Sequence, residues 1–313
     1  MDRRHFTKLT LSSAAILTTV PTLSFNVNKP QETPVRLGAQ LFEKYNSPEE
    51  WVALLRKYRY TAAYCPVELG ASEVTVKAYE QAAIKADIWI AEVGSWVNTL
   101  DADPVKRKAN IEKCQKSLAL ADAIGARCCV NVSGSRNPNH WAGPSPKNLT
   151  KETFEMVVAT TREIIDAVKP TRSFYTIENM PWSYPNSVDS CLELIKAIDR
   201  KQFGVHFDPV NFMADTQSYY GIGDIIRDAF KKLEPHIKSC HGKDLRINEE
   251  VYTPQFFECI PGQGAMDYVT FLKEISKHGN VPLMLEHLTT TEEYIQATDY
   301  VRKVSKEIGT EIK

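Results

Sequence analysis

The chain has 313 residues, 43% hydrophobic and 25% charged, with a formal net charge of -1. Such a composition belongs to an ordinary soluble globular protein, and its balanced charge argues against a nucleic-acid surface or an acidic tail. The seven cysteines form no CxxC pair, and Cys128 and Cys129 adjoin in an apolar run where successive side chains face opposite ways, so they read as buried free thiols.

The first element is a leader. "MDRRHFTKLTLSSAAILTTVPTLSF" has a basic start, a short apolar middle and small polar residues after it. That is a signal-peptide layout, with an apolar part too short for a membrane span. Arg3, Arg4, Phe6 and Lys8 resemble the twin-arginine export motif R-R-x-F-x-K, although Thr7 replaces the usual Leu and no clean A-x-A site follows. The resemblance implies export of the folded protein, to the periplasm in a bacterium. Residues 1–30 are therefore read as an export signal and 31–313 as the folded domain.

From Pro34 onward, eight short apolar runs alternate with helical patterns. The runs are "VRLGAQLF", "YTAAYCPV", "IWIAEVGSW", "ARCCVNVSG", "FYTIENM", "FGVHFDPV", "IKSCHGKD" and "VPLMLEH". Ser47 is placed to cap the first helix. Later helices carry one-sided stripes: Ile111, Cys114, Leu118 and Ala121; then Val188, Cys191, Leu192, Ile195 and Ile198; finally Tyr294, Ala297, Val301, Val304 and Ile308. Eight βα units in one α/β domain predict a single (β/α)8 TIM barrel. A doubly wound sheet is the alternative, but "LGAQLFEKY" lacks the Gly-rich phosphate fingerprint. The irregular stretch 133–150 after the fourth strand is expected over the C-terminal mouth.

Barrel enzymes carry their active groups at the C-terminal strand ends. Strands five to eight end at Glu178, Asp208, His241 and Glu286. Alternation supports an inward orientation: Tyr175 and Ile177, Val205 and Phe207, Leu283 and Leu285 would all face the helices. Strand seven is less tidy, because Lys238 would share the outward face with Cys240. Three carboxylates crowded on one rim repel unless a divalent cation neutralises them, and His241 adds a nitrogen ligand. The set suits one Mn²⁺, Mg²⁺ or Co²⁺ ion, and Zn²⁺ fits as well.

Taken in order, "IENMPW", "FDPVN", "HGKD", "PGQGAMDY" and "MLEH" resemble the xylose isomerase-like TIM-barrel superfamily, in its sugar (phosphate) isomerase/epimerase branch. The resemblance covers essentially the whole mature chain. It implies one divalent metal on Glu178, Asp208, His241 and Glu286, with Glu178 and Glu286 as the acid–base pair. Two positions depart from the sugar epimerases. Asn211 stands where a His follows the metal Asp by three residues, and Ile247 where an Arg follows the metal His by six, with Arg246 one place off.

The chemistry expected is proton abstraction next to a sugar carbonyl, with the metal stabilising the enediolate as a Lewis acid. A lyase cleaving 3-keto-glycosides by β-elimination through the same intermediate is the alternative. A DNA-repair endonuclease of the same superfamily would need more His and acidic ligands and a basic groove, and a hinged sugar-binding protein would need no ligand set. Lys243, Asn211, Arg246, His140, Trp96 and Trp182 are candidate substrate contacts, with Trp141 and Tyr184 as further rim aromatics. His206 would lie one layer below Asp208 in a supporting role, and His287 would face the helices. The expected partner is a small carbohydrate, with no nucleic acid and no membrane span in the mature chain; a homo-oligomer is compatible with the sequence.

Overall fold

A computed structural model describes residues 33–313, so the expected leader lies outside the described residues. Eight parallel strands form a nearly closed barrel: β1 (Leu37–Ala39), β2 (Ala62–Tyr64), β3 (Trp89–Gly94), β4 (Cys128–Asn131), β5 (Phe174–Glu178), β6 (Phe203–Phe207), β7 (Ile237–Gly242) and β10 (Leu283–Leu285). Their spatial order is β1-β10-β7-β6-β5-β4-β3-β2, and the Thr61 amide donates to the Leu37 carbonyl at 3.0 Å where the ends meet. The expected (β/α)8 TIM barrel is the observed fold.

The helices wrap this barrel: α1 (Pro48–Lys57), α2 (Glu73–Ala86), α3 (Pro104–Ile124), α4 (Lys151–Val168), α5 (Val188–Ile198), α6 (Thr216–Tyr220), α7 (Ile222–Leu233), α8 (Tyr268–His278) and α9 (Thr291–Ile308). Ser47 Oγ accepts the Glu50 amide at 3.1 Å and starts α1 as expected. In α5 the buried apolar positions are Val188, Cys191, Leu194 and Ile198, while Leu192 and Ile195 are only half-buried at the edge of the stripe. Every cysteine is a free thiol. Among the described residues no helix is long and apolar enough to cross a membrane.

Strand alternation sorts the interior. Tyr175, Ile177, Val205, Phe207, Leu283 and Leu285 join the layer under the helices, while Ala62, Ala91 and Met284 pack separately. Two bulges interrupt the alternation. On β3, Ala63 pairs with Ile90 but Tyr64 pairs with Glu92, so one extra residue is inserted. Ile90 and Val93, three apart, then both face the helices, and Glu92 swings to the axis. On β7 the ladder skips Lys238. Ile237 and Cys240 both face outward, whereas Lys238 leaves that face, its Nζ donating to Pro235 O at 2.7 Å and lying 4.0 Å over the Phe174 ring. The untidiness of strand seven is thus a bulge.

The seventh unit departs from the expected pattern. The run "IKSCHGKD" does not continue as one strand. It leaves the barrel after Gly242 and forms an antiparallel hairpin of β8 (Asp244–Ile247) and β9 (Phe256–Cys259). This insertion accounts for the longer interval between His241 and Glu286.

Candidate metal and active site

Four strand ends bring their polar groups to one point. Glu178 closes β5, Asp208 and Glu286 each follow their strand by one residue, and His241 sits within β7. One ligand atom from each of the four lies within 4.8 Å of those from the others. Asp208 caps the short 3₁₀ turn Pro209–Phe212 through Oδ1, which accepts the Val210 amide at 3.0 Å. Its backbone is clamped to Asn179 by bonds of 2.7 and 2.9 Å, which fixes β5 against β6 at the rim. His241 Nδ1 lies 2.9 Å from Glu286 Oε1 and 3.6 Å from Glu178 Oε1.

Lys243 enters the same cluster. Its ammonium is 2.8 Å from Asp208 Oδ2 and 2.9 Å from Glu286 Oε1, and the residue is only 4% exposed. Asn211 donates to Glu178 Oε1 at 2.9 Å and to the Asn179 carbonyl at 3.0 Å. Burial pushes the Asp208 carboxyl up to about 6, with Lys243 pulling the other way. Burial would also raise Glu286, but His241 and Lys243 together hold it well below the carboxylate range. Glu178 is lowered because His241 outweighs its burial and the repulsion from Glu286.

Beneath the cluster lies Glu92, which sequence reasoning missed. It is 1% exposed, and it accepts from His206 Nε2 at 2.7 Å, His241 Nε2 at 2.9 Å and Ser239 Oγ at 3.0 Å. The available signal was an acidic residue inside the apolar run "IWIAEVGSW". Strict alternation from Ile88 and Ile90 would have pointed it at the helices. His206 lies below Asp208 as expected, its Nδ1 4.0 Å from Glu178 Oε2.

Above the cluster opens a cavity of about 600 Å³. Trp96, Trp182, Asn211 and Lys243 line it, together with Trp141, Tyr64 and Glu258. Trp96 stands in a left-handed conformation, φ 46°, and its ring stacks on His241 at 6.3 Å. Trp182 Nε1 donates to the Ala142 carbonyl at 2.6 Å, which ties the loop after β5 to the 133–150 loop over the mouth. His140 and Arg246 are exposed and do not line the cavity. Arg246 lies on the β8–β9 hairpin, and the His140 ring accepts its own loop's Ala142 amide at 3.2 Å.

His287 also departs from expectation. Its backbone takes φ 60°, which breaks the alternation after β10 and turns the ring into the cavity wall. Nδ1 there lies 2.9 Å from both Glu258 carboxylate oxygens.

The site fits a divalent cation. Asp208 Oδ2, His241 Nδ1 and Glu286 Oε1 are buried without a hydrogen bond of acceptable geometry, although charged neighbours lie close. Hard oxygen donors with one imidazole are a donor set for such an ion.

Solved structures share this architecture at low identity. D-psicose 3-epimerase with D-tagatose from Clostridium cellulolyticum H10 is 13% identical, with a TM-score of 0.63 over 88% of this chain and 100% of that one. The apo 3-keto-D-glucoside 4-epimerase of E. coli is 11% identical, TM-score 0.61, over 87% and 99%. A xylose isomerase-like TIM barrel protein from Mycobacterium smegmatis, in complex with magnesium, is 12% identical, TM-score 0.58, over 88% and 96%. No curated protein matches the chain in sequence. Residues 37–304 match the family described as xylose isomerase-like TIM barrel, and with that match spanning most of the chain the protein belongs to that family.

Proposed function

We propose that the protein is a divalent-metal-dependent sugar isomerase or epimerase that moves a proton at a carbon next to a carbonyl. The observation that carries this reading is the convergence of Glu178, Asp208, His241 and Glu286 within 4.8 Å, with buried acceptors that lack a hydrogen bond of acceptable geometry, under a cavity of carbohydrate-compatible size. Those four residues would hold the ion. When bound, it would polarise the substrate carbonyl as a Lewis acid.

The protein's own groups supply the rest. Glu178 and Glu286 stand on strands five and eight of the β/α series, on either side of Asp208 and His241 in barrel order. Each carboxylate can take or return a carbon-bound proton, and a pair of them allows transfer between faces or between neighbouring carbons. Asn211 holds one oxygen of Glu178 and leaves the other for chemistry. Lys243 places a fixed positive charge beside Glu286 and Asp208, where it steadies negative charge as it develops. Trp96, Trp141 and Trp182 offer apolar walls for the face of a sugar ring.

The test is a screen of keto-sugars and keto-glycosides in D₂O, with chelator-treated protein resupplied with Mn²⁺, Mg²⁺ or Co²⁺. Isomeric product of unchanged skeleton, with deuterium at the carbon next to the carbonyl, supports the reading. Release of an aglycone would make the protein a lyase instead. Absence of metal-dependent exchange in every substrate would refute proton abstraction at this site.

A further inference from the structure

We infer that Glu92 is a positioning residue that locks His206 and His241 together, with both imidazoles donating downward through Nε2 and presenting Nδ1 upward to the Glu178 end of the cluster. The inference rests on the proposal that a cation binds there. Oε2 receives His206 Nε2 and Ser239 Oγ at 2.7 and 3.0 Å, and Oε1 receives His241 Nε2 at 2.9 Å. A carboxylate only accepts, so it requires a proton on each Nε2. His206 Nδ1 then faces Glu178 at 4.0 Å, and His241 Nδ1 lies 2.9 Å from Glu286 and 3.6 Å from Glu178. Both Nδ1 atoms are buried without a hydrogen bond of acceptable geometry. The rings pack edge-on with centroids 4.0 Å apart, so neither turns without displacing the other. One buried carboxylate thereby sets the tautomer and orientation of the ligand imidazole and of its neighbour. The β3 bulge is what carries this carboxylate to the axis.

Glu92→Gln tests this with little change of shape. The amide keeps one acceptor and gains a donor, so one imidazole must move its proton to Nδ1 or turn away. Calorimetric titration of full-length protein with Co²⁺ should show binding weakened about 10- to 100-fold, with an altered visible absorption band of the bound ion. Equal affinity and an unchanged band in Glu92→Gln would overturn the inference. If wild type itself takes up no Co²⁺, the metal proposal fails instead, a different result. A second measurement stands apart from the variant's folding. Long-range ¹H–¹⁵N spectra of wild type, with and without Zn²⁺, should place the His206 proton on Nε2. A proton on Nδ1 alone would overturn the inference whatever the variant does.

Discussion

Asp244, the last residue of "HGKD", should be among the most costly single positions to change. It is 1% exposed, and its carboxylate collects four backbone amides. Oδ1 accepts from Leu245 and Met266, both at 2.9 Å, and Oδ2 from Gly262 at 2.8 Å and Gly264 at 2.9 Å. "PGQGAMDY" is therefore a loop folded around one side chain. Gly262 sits at φ +95°, and a Cβ on Gly264 would strike the Leu245 carbonyl and the Asp244 carboxylate. Burial pushes the Asp244 carboxyl up against the pull of these amides, and the net shift is upward. Its value to the fold is thus the satisfaction of four donors, not a favourable charge. Asp244→Asn keeps one accepting oxygen and turns an NH₂ toward two of the amides. Two orphaned buried donors at about 1–3 kcal/mol each give a loss of about 2–6 kcal/mol. That is a large share of a typical stability of about 5–15 kcal/mol. Urea denaturation followed by circular dichroism would read it as a lowered midpoint at constant slope. Activity should fall too, because Lys243 precedes Asp244 and its carbonyl accepts the Tyr268 hydroxyl at 3.0 Å. A loss below about 1 kcal/mol would refute the reasoning, since it would mean the loop holds without its acceptor.

Other outcomes follow from the same geometry. Lys243→Met should destabilise chelator-treated protein by about 3–5 kcal/mol, because Asp208 and Glu286 lose their buried counter-charge; added Mn²⁺ should recover part of the loss in thermal melts. If the proposed site binds Mn²⁺, wild type at about 100 times the dissociation constant should gain about 2.7 kcal/mol, seen as a raised melting temperature that a chelator reverses. Asp122 accepts the amides of Thr171, Arg172 and Ser173 at 2.8, 2.7 and 2.9 Å, so Asp122→Ala should cost about 1–2 kcal/mol at neutral pH. Burial opposes these bonds, yet the Asp122 carboxyl ends below its ordinary value. Its contribution is therefore present above the unfolded value and lost as pH falls through the folded one, so wild type and variant should converge in acid denaturation curves.

How much of this was legible depended on where the two-residue period held. It held on β5, β6 and β10, and there the inward end groups and the outward apolar residues could both be read from the sequence. It failed at the bulges. One residue inserted at Ala91 reversed the face of Glu92, and another at Lys238 disturbed strand seven. A bulge leaves no mark in composition, because any residue can take the extra position. His287 failed for a related reason: a left-handed backbone at a histidine redirects the ring, and nothing in "MLEHL" announces it. The β8–β9 hairpin was hidden because "KDLRI" and "QFFEC" pair only with each other, and its reach toward the cavity through Glu258 is a tertiary fact. His140 and Arg246 have suitable chemistry near a strand end, but the long 133–150 loop carries His140 away from the axis and the β8–β9 hairpin carries Arg246.

The charge balance of the barrel floor gives these pieces a common cause. Glu92, Glu178, Asp208 and Glu286 put four carboxylates within a few side chains of one another, and Lys243 is the ammonium among them. If both imidazoles are neutral, with their Nε2 protons given to Glu92, three negative charges stay uncompensated. Buried like charges at this spacing cannot all persist in a low-dielectric interior. Without a cation, the relief open to the protein is to charge His241, whose imidazole is driven well above its ordinary value despite burial by Glu286, Glu92 and Glu178. A dication does the same work without that proton and reduces the excess to a single negative charge. Cation binding should therefore expel protons, and the amount expelled can be measured by titrating in buffers of different ionisation heat. Release of about one proton per ion at neutral pH is expected if His241 is the group displaced. Uptake with no proton released would show that the carboxylates were already balanced, and that the histidine is not what the cation replaces.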